Sequence, residues 1–185
     1  MDFFKRLFGA ALLVTAMVSA DSASALDPEN TLYLELKNGR VVIEMRPDLA
    51  PGHVARIKEL VREGFYDGIV FHRVIPGFMA QTGDPTGTGR GGSGQYLKAE
   101  FSLEPHVRGS LSMARAASPD SGDSQFFIVL DDAPFLDGKY TYWGAVVEGM
   151  EAVDLIKAGN KNNNGAVEGE PDKIITLRVA ADVKE

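Results

Sequence analysis

The strongest constraint on how this chain can fold is a period-two alternation of apolar residues interrupted by a turn dipeptide. Leu32, Leu34 and Leu36 share one parity, Val41, Ile43 and Met45 share another, and Asn38-Gly39 stands between the two runs. Successive side chains of a strand point to opposite faces, so each run presents one apolar face, and Asn-Gly suits a tight hairpin. The spacing predicts paired strands over 31–37 and 40–45. Short runs of similar character recur at 110–114, 125–130, 142–147 and 173–183. Helical spacing is confined to two segments. One starts near Pro51, carries Val54, Ile57, Leu60 and Val61, and is closed by Gly64; the other covers 150–158 and stops at Gly159. Many short strands, two helices and no regular βα alternation predict a mostly β fold, its antiparallel sheet closed on itself or doubled.

A chain of 185 residues with 44% hydrophobic and 24% charged residues suits one domain with a short appendage, and its core needs no disulfide, matching the absence of cysteine. The appendage is expected at residues 1–25. Lys5 and Arg6 precede an apolar run over 7–18, and Ala23-Ser24-Ala25 has the small-x-small form of a signal-peptide cleavage site. The run is too short for a membrane span, which takes about 20 residues. Residues 1–25 are therefore read as a signal peptide cleaved after Ala25, and residues 26–185 as the folded domain, with no stable membrane insertion once the leader is removed. Within the leader Asp2 and Asp21 cancel Lys5 and Arg6, so the net charge of −7 belongs to that domain. Without a Lys/Arg cluster, it is not expected to bind nucleic acid.

Several residues fit chemistry better than packing. Pro76-Gly77 suits a type II turn, so 71–75 and 78–81 are expected as consecutive antiparallel strands with Met79 and Gln81 on one face. Arg73 interrupts the apolar run FHRVI and needs solvent or a partner, because an unpaired buried guanidinium is costly. On 124–130, Gln125, Phe127 and Val129 oppose Phe126, Ile128 and Leu130. That pattern fits either a strand buried on both faces or a core strand whose outer side bears a groove. Gly87-Thr88-Gly89-Arg90-Gly91-Gly92 satisfies G-x-G-x-x-G, but it opens no predicted helix and is read as a surface loop. Asn160, Asn162, Asn164 and Gly165 imitate half a calcium loop, yet Pro171 stands where the closing glutamate belongs, which leaves an exposed Asn-rich turn. His53, His72 and His106 lack ligand spacing, so no metal is expected.

The block FHRVIPGFMAQTGD at 71–84, followed in order by SQFFI at 124–128 and LDGKY at 136–140, resembles the cyclophilin-type peptidyl-prolyl cis-trans isomerases. The likeness spans about 31–183 and implies a closed eight-stranded antiparallel β-barrel capped by two α-helices, with the substrate groove outside the barrel. It implies Arg73 as principal catalytic residue and Phe78, Met79, Phe127 and Leu136 as the proline pocket. Gln81, a second catalytic-site residue, and Gln125 would hydrogen-bond substrate backbone, and Ala114, Arg115 and Ala116 would hold its main chain. Proline-containing polypeptides are the implied partners, with no cofactor and a monomeric state.

Three positions depart from the pattern of eukaryotic members: Phe135 replaces tryptophan, Tyr140 replaces histidine, and Arg115 replaces asparagine. These changes resemble the bacterial exported branch, implying the periplasm of a Gram-negative bacterium and weak cyclosporin binding at most, since the indole donor is lost. A rival class is a chaperone that grips proline-containing segments without isomerising them.

Overall fold

The computed structural model describes residues 25–184, and the leader at 1–25 lies, but for Ala25, outside the described residues. Eight strands form one antiparallel sheet: β1 (Thr31–Leu36), β2 (Gly39–Met45), β3 (Arg73–Ile75), β4 (Met79–Thr82), β5 (Ser110–Met113), β6 (Phe126–Val129), β7 (Tyr142–Glu148) and β8 (Thr176–Val179). Helix α1 (Pro51–Arg62) follows β2 and α2 (Met150–Asp154) follows β7. The Asn38-Gly39 turn joins β1 to β2 as the alternation requires, pairing Leu36 with Gly39 and Leu34 with Val41. Pro76-Gly77 turns β3 into β4. Gly77 takes φ +74°, the value a type II turn demands at its third position, and Phe78 N–H closes the turn on Ile75 O at 3.0 Å.

The strands run in the order β3-β4-β6-β5-β7-β2-β1-β8. This corrects the expectation of a closed barrel: β3 and β8 are the two ends of the sheet and do not pair as strands. The two edges cross antiparallel at Val70 and Lys173, before β3 (73–75) and β8 (176–179) begin, so the strands run apart. The segments leading into them meet instead. Phe71 N–H donates to Asp172 O at 2.8 Å, Ile174 N–H donates to Ile69 O at 2.9 Å, and Val70 bridges Lys173. The result is a half-barrel whose rims touch through their approaches. Register shifts between Val42 and Ile43 against β7, and between Leu111 and Ser112 against the same strand, add twist where the sheet curves.

One apolar core fills the concave side. Trp143 and Phe126 meet edge to face with centroids 5.4 Å apart, Tyr66 meets Phe126 at 5.6 Å, and the predicted helix face of Val54, Ile57, Leu60 and Val61 closes over them with Ala152 and Val153 of α2. Each fully buried large side chain contributes about 1.5–3 kcal/mol. Two elements end earlier than the apolar pattern indicates. In α2, Ile156 N–H reaches back only to Val153 O and the Asp172 carboxylate takes the Lys157 amide at 2.8 Å, so helical bonding stops. β8 stops at Val179, where a 3-10 turn (Ala180–Asp182) brings Asp182 to Arg62 at 2.8 Å.

Candidate active site

Strand register builds the site. Arg73 pairs with Gln81 across β3 and β4, Gln81 with Phe127 across β4 and β6, and Phe127 with Ser112 across β6 and β5. Residues directly opposite in adjacent strands share a face, so these four form one row across the convex side. The next row, two residues along, is Ile75, Met79 and Val129. The intervening row of Val74, Ala80, Ile128 and Leu111 points inward to the core. Period two thus places a cation, an amide and an aromatic ring side by side outside the half-barrel.

The side chains expected to line a proline pocket lie together. Met79, Phe127 and Leu136 are buried in a second apolar cluster with Val129 and Ala133, and Phe78, Ala114, Tyr140 and Ile75 pack on its rim. Tyr140 stands edge-on to Phe127 at 5.7 Å. Phe135 tilts against Phe78 at 5.3 Å but is 58% exposed, so it borders the pocket rather than lining its floor. Arg115 lies over the Tyr140 ring at 4.7 Å and donates to Lys139 O at 3.1 Å and Ala116 O at 3.0 Å. Its side chain thereby ties the Ala114-Arg115-Ala116 segment to the pocket wall. Val129 and Ala133 were not singled out from sequence; Val129 shares the parity of Phe127, whereas Ala133 sits in a loop without periodicity.

The polar half is a chain of neutral amides. Arg73 Nη1 donates to Gln81 Oε1 at 3.1 Å, Gln81 Nε2 to Gln125 Oε1 at 2.9 Å, and Gln125 Nε2 to Gly91 O at 2.8 Å. Arg73 has no carboxylate within ion-pairing distance among the described residues. Burial lowers its pKa and Tyr140 acts against that, but a guanidinium stays protonated in proteins. Beyond Gln81 and Gln125 a cavity of about 600 Å³ opens between the glycine loop and Ala114-Arg115-Ala116.

That loop explains its own glycine motif. Its amides turn inward onto Asp84, whose buried carboxylate accepts from Thr86 N–H at 2.7 Å, Thr86 Oγ1 at 2.8 Å, Gly89 N–H at 2.6 Å and Arg90 N–H at 3.0 Å. Burial alone would raise this carboxyl's pKa, but the donated hydrogen bonds outweigh it and hold the group well below the usual carboxylate range. Donors that would cradle a phosphate are occupied by the protein's own anion. Two of the three histidines are similarly committed: His53 Nδ1 lies 2.7 Å from Glu100 Oε2, and His106 bridges Asp137 at 2.8 Å and Ser112 Oγ at 2.7 Å, whereas neither ring nitrogen of His72 has a hydrogen-bond partner among the described residues. His72, whose pKa burial lowers, precedes β3.

An eight-stranded antiparallel half-barrel with two helices and a groove on its outer face is the cyclophilin-like fold. The chain belongs to the cyclophilin-type peptidyl-prolyl cis-trans isomerases, a family that matches residues 31–179. A Brucella suis protein named "Probable peptidyl-prolyl cis-trans isomerase" is 54% identical over the full length of both chains. Peptidyl-prolyl cis-trans isomerase B of Bacillus subtilis is 46% identical over 75% of this chain and 99% of its own. Among solved structures, a cyclophilin from Hirschia baltica superposes with a TM-score of 0.76 at 30% identity, covering 86% of this chain and 77% of that one. A Cryptosporidium parvum cyclophilin crystallised in the presence of the dipeptide Ala-Pro gives 0.73 at 30% identity, covering 80% and 98%.

Proposed function

We propose that the chain accelerates rotation about X-Pro bonds of exported polypeptides, with Arg73 as the group that acts on the reacting amide. The observation that carries this is the row in which an Arg73 guanidinium, with no acidic partner among the described residues, stands beside the apolar pocket of Phe127 and Met79. An X-Pro bond resists rotation because its resonance must be broken, at a barrier of about 18–20 kcal/mol. In the twisted state the prolyl nitrogen regains its lone pair and can accept a hydrogen bond. Arg73 donates to it there and not in the planar ground state, so the interaction lowers the barrier rather than merely binding substrate.

Phe78, Met79, Phe127 and Leu136 hold the proline ring while Gln81, Gln125 and the Ala114-Arg115-Ala116 segment hold the main chain on either side. No bond breaks, so the reaction calls for no nucleophile. One hydrogen bond from a charged donor contributes about 1.5–3 kcal/mol; orientation in the apolar pocket supplies the rest. Arg73→Ala is expected to lower kcat/KM on a prolyl peptide by at least about tenfold with the fold intact. Near-normal turnover of the variant in a protease-free relaxation assay would sink the Arg73 assignment, whereas a parent protein that slows relaxation or leaves it unchanged would be a proline-segment chaperone.

The exported setting rests on residues 1–25, read as a signal peptide, and on Phe135, Tyr140 and Arg115, which follow the bacterial exported pattern. Uncatalysed isomerisation takes tens of seconds and limits folding, which suits a monomeric folding catalyst in the periplasm. Cyclosporin binding is expected to be weak at Phe135. N-terminal sequencing of protein from its native cell is expected to begin at Leu26, and an intact Met1 would overturn the leader.

A further inference from the structure

The Asn-rich turn that imitates half a calcium loop does something else in the fold: it grips Arg73. Arg73 Nε donates to Asn164 O at 2.9 Å, and Nη2 donates to Asn164 Oδ1 at the same distance. With the Gln81 contact, three of the five guanidinium N–H donors are engaged and two are left for substrate. Asn164 is the one non-glycine residue with positive φ, +50°, among the described residues. Only asparagine, aspartate and glycine enter that region readily.

The turn is pinned to the strand that bears Arg73. Val74 N–H donates to Gly165 O at 2.8 Å, Gly159 N–H donates to Val74 O at 2.9 Å, and Arg73 itself bridges Ala166. A Cβ on Gly165 would sit 2.3 Å from Ile75 Cγ1, so glycine is required for the close approach. Inside the turn the Asn160 side chain accepts from Asn162 N–H at 2.9 Å, fixing the curl that delivers Asn164. Asn164 therefore reaches Arg73 from one side through a rigid connection while Gln81 reaches it from the other.

We infer that Asn164 is a positioning residue for the isomerase reaction: it aims the Arg73 guanidinium through two neutral acceptors, and its neutrality keeps the positive charge available to the prolyl nitrogen. The inference rests on the Arg73 reading above. An aspartate here would keep the backbone conformation and an acceptor in the same place, but it would pair with the guanidinium as an ion and compete with the twisted amide for it.

Two substitutions and one double variant test this by prolyl-peptide relaxation and thermal unfolding. Asn164→Gly keeps the left-handed backbone and the carbonyl while deleting Oδ1. It is expected to lower kcat by about threefold to tenfold with KM nearly unchanged, because orientation in the transition state is what it loses. Asn164→Asp is expected to lose at least as much despite retaining the acceptor. In an Arg73→Ala background, Asn164→Gly is expected to add no further loss, since contacts that act through one partner are not additive. Wild-type kcat in Asn164→Gly beside a crippled Arg73→Ala overturns the positioning role alone. Full activity in Asn164→Asp overturns the need for neutrality, and an additive loss in the double variant reduces Asn164 to a structural residue. Normal turnover in Arg73→Ala removes the Arg73 reading and this one with it.

Discussion

Phe126 and Phe127 are chemically identical neighbours on β6, both buried, and the sheet sends them to opposite sides. Phe126 sits among Tyr66 and Trp143 in the concave core. Phe127 sits on the convex side against Tyr140, in a cluster that contains Met79 and Leu136 and is flanked in register by Gln81 and Arg73. Burial does not distinguish them. Their surroundings do: the inner ring packs into the apolar core, whereas the outer ring shares its row with a cation and an amide. The inner side of this strand belongs to the core, and the outer side belongs to the apolar cluster proposed above to hold a proline ring.

The largest effect should come from breaking the inner side. Phe126→Ala empties the centre of the core and is expected to cost about 3–5 kcal/mol, read from urea unfolding, while folded molecules keep near-normal KM at low temperature. Phe127→Ala is expected to cost less stability, about 2 kcal/mol, because its pocket opens to water at the rim, and to lower kcat/KM by more than about tenfold. Equal stability losses with equal activity losses would erase the distinction between the faces.

A second contrast concerns what holds each side together. The core is apolar, but the far wall of the groove hangs on the Asp84 carboxylate and the amides it collects. Asp84 titrates lower in the folded protein than in the unfolded chain. Its stabilisation is therefore present above the unfolded pKa, about 3.9, and is lost as pH falls through the lower folded value. Glu100, which accepts from Gly52 N–H and His53 N–H at the start of α1, is shifted the same way: burial opposes the shift and these hydrogen bonds outweigh it. Asp84→Asn should cost about 1–3 kcal/mol at neutral pH and flatten the acid limb of the urea midpoint. An acid limb as steep as in the parent protein would show that other carboxylates carry it.

Much of this arrangement is legible in the chain. Alternation gave the parity of Phe126 and Phe127, Asn38-Gly39 and Pro76-Gly77 fixed two turns, and the spacing of Val54, Ile57, Leu60 and Val61 placed α1. Long-range pairing is what local pattern does not contain. Nothing near Asn164 points to Arg73, because the contact spans 91 positions and depends on Gly165 docking against β3. The same holds for Glu100 at the start of α1, and for the gap between β3 and β8, whose approaches and not the strands themselves meet. The glycine motif at 87–92, which reads as a surface loop because it opens no helix, owes its shape to Asp84, a partner that the motif itself does not reveal.

The smallest expected effect lies at the exposed end of the groove and tests whether that end matters to catalysis. Phe135 touches Phe78 but is mostly in solvent, and it carries no donor. Phe135→Trp adds an indole N–H at the rim without disturbing the floor formed by Met79 and Phe127. One added hydrogen bond is worth about 0.5–1.5 kcal/mol, so cyclosporin affinity is expected to rise by roughly tenfold at most, measured by calorimetry, while kcat/KM stays within about twofold. Tighter inhibitor binding at constant turnover would separate the rim from the reacting centre. A matching fall in turnover would mean that Phe135, through Phe78, helps to hold the proline ring, and the boundary of the catalytic pocket would have to move outward to include it.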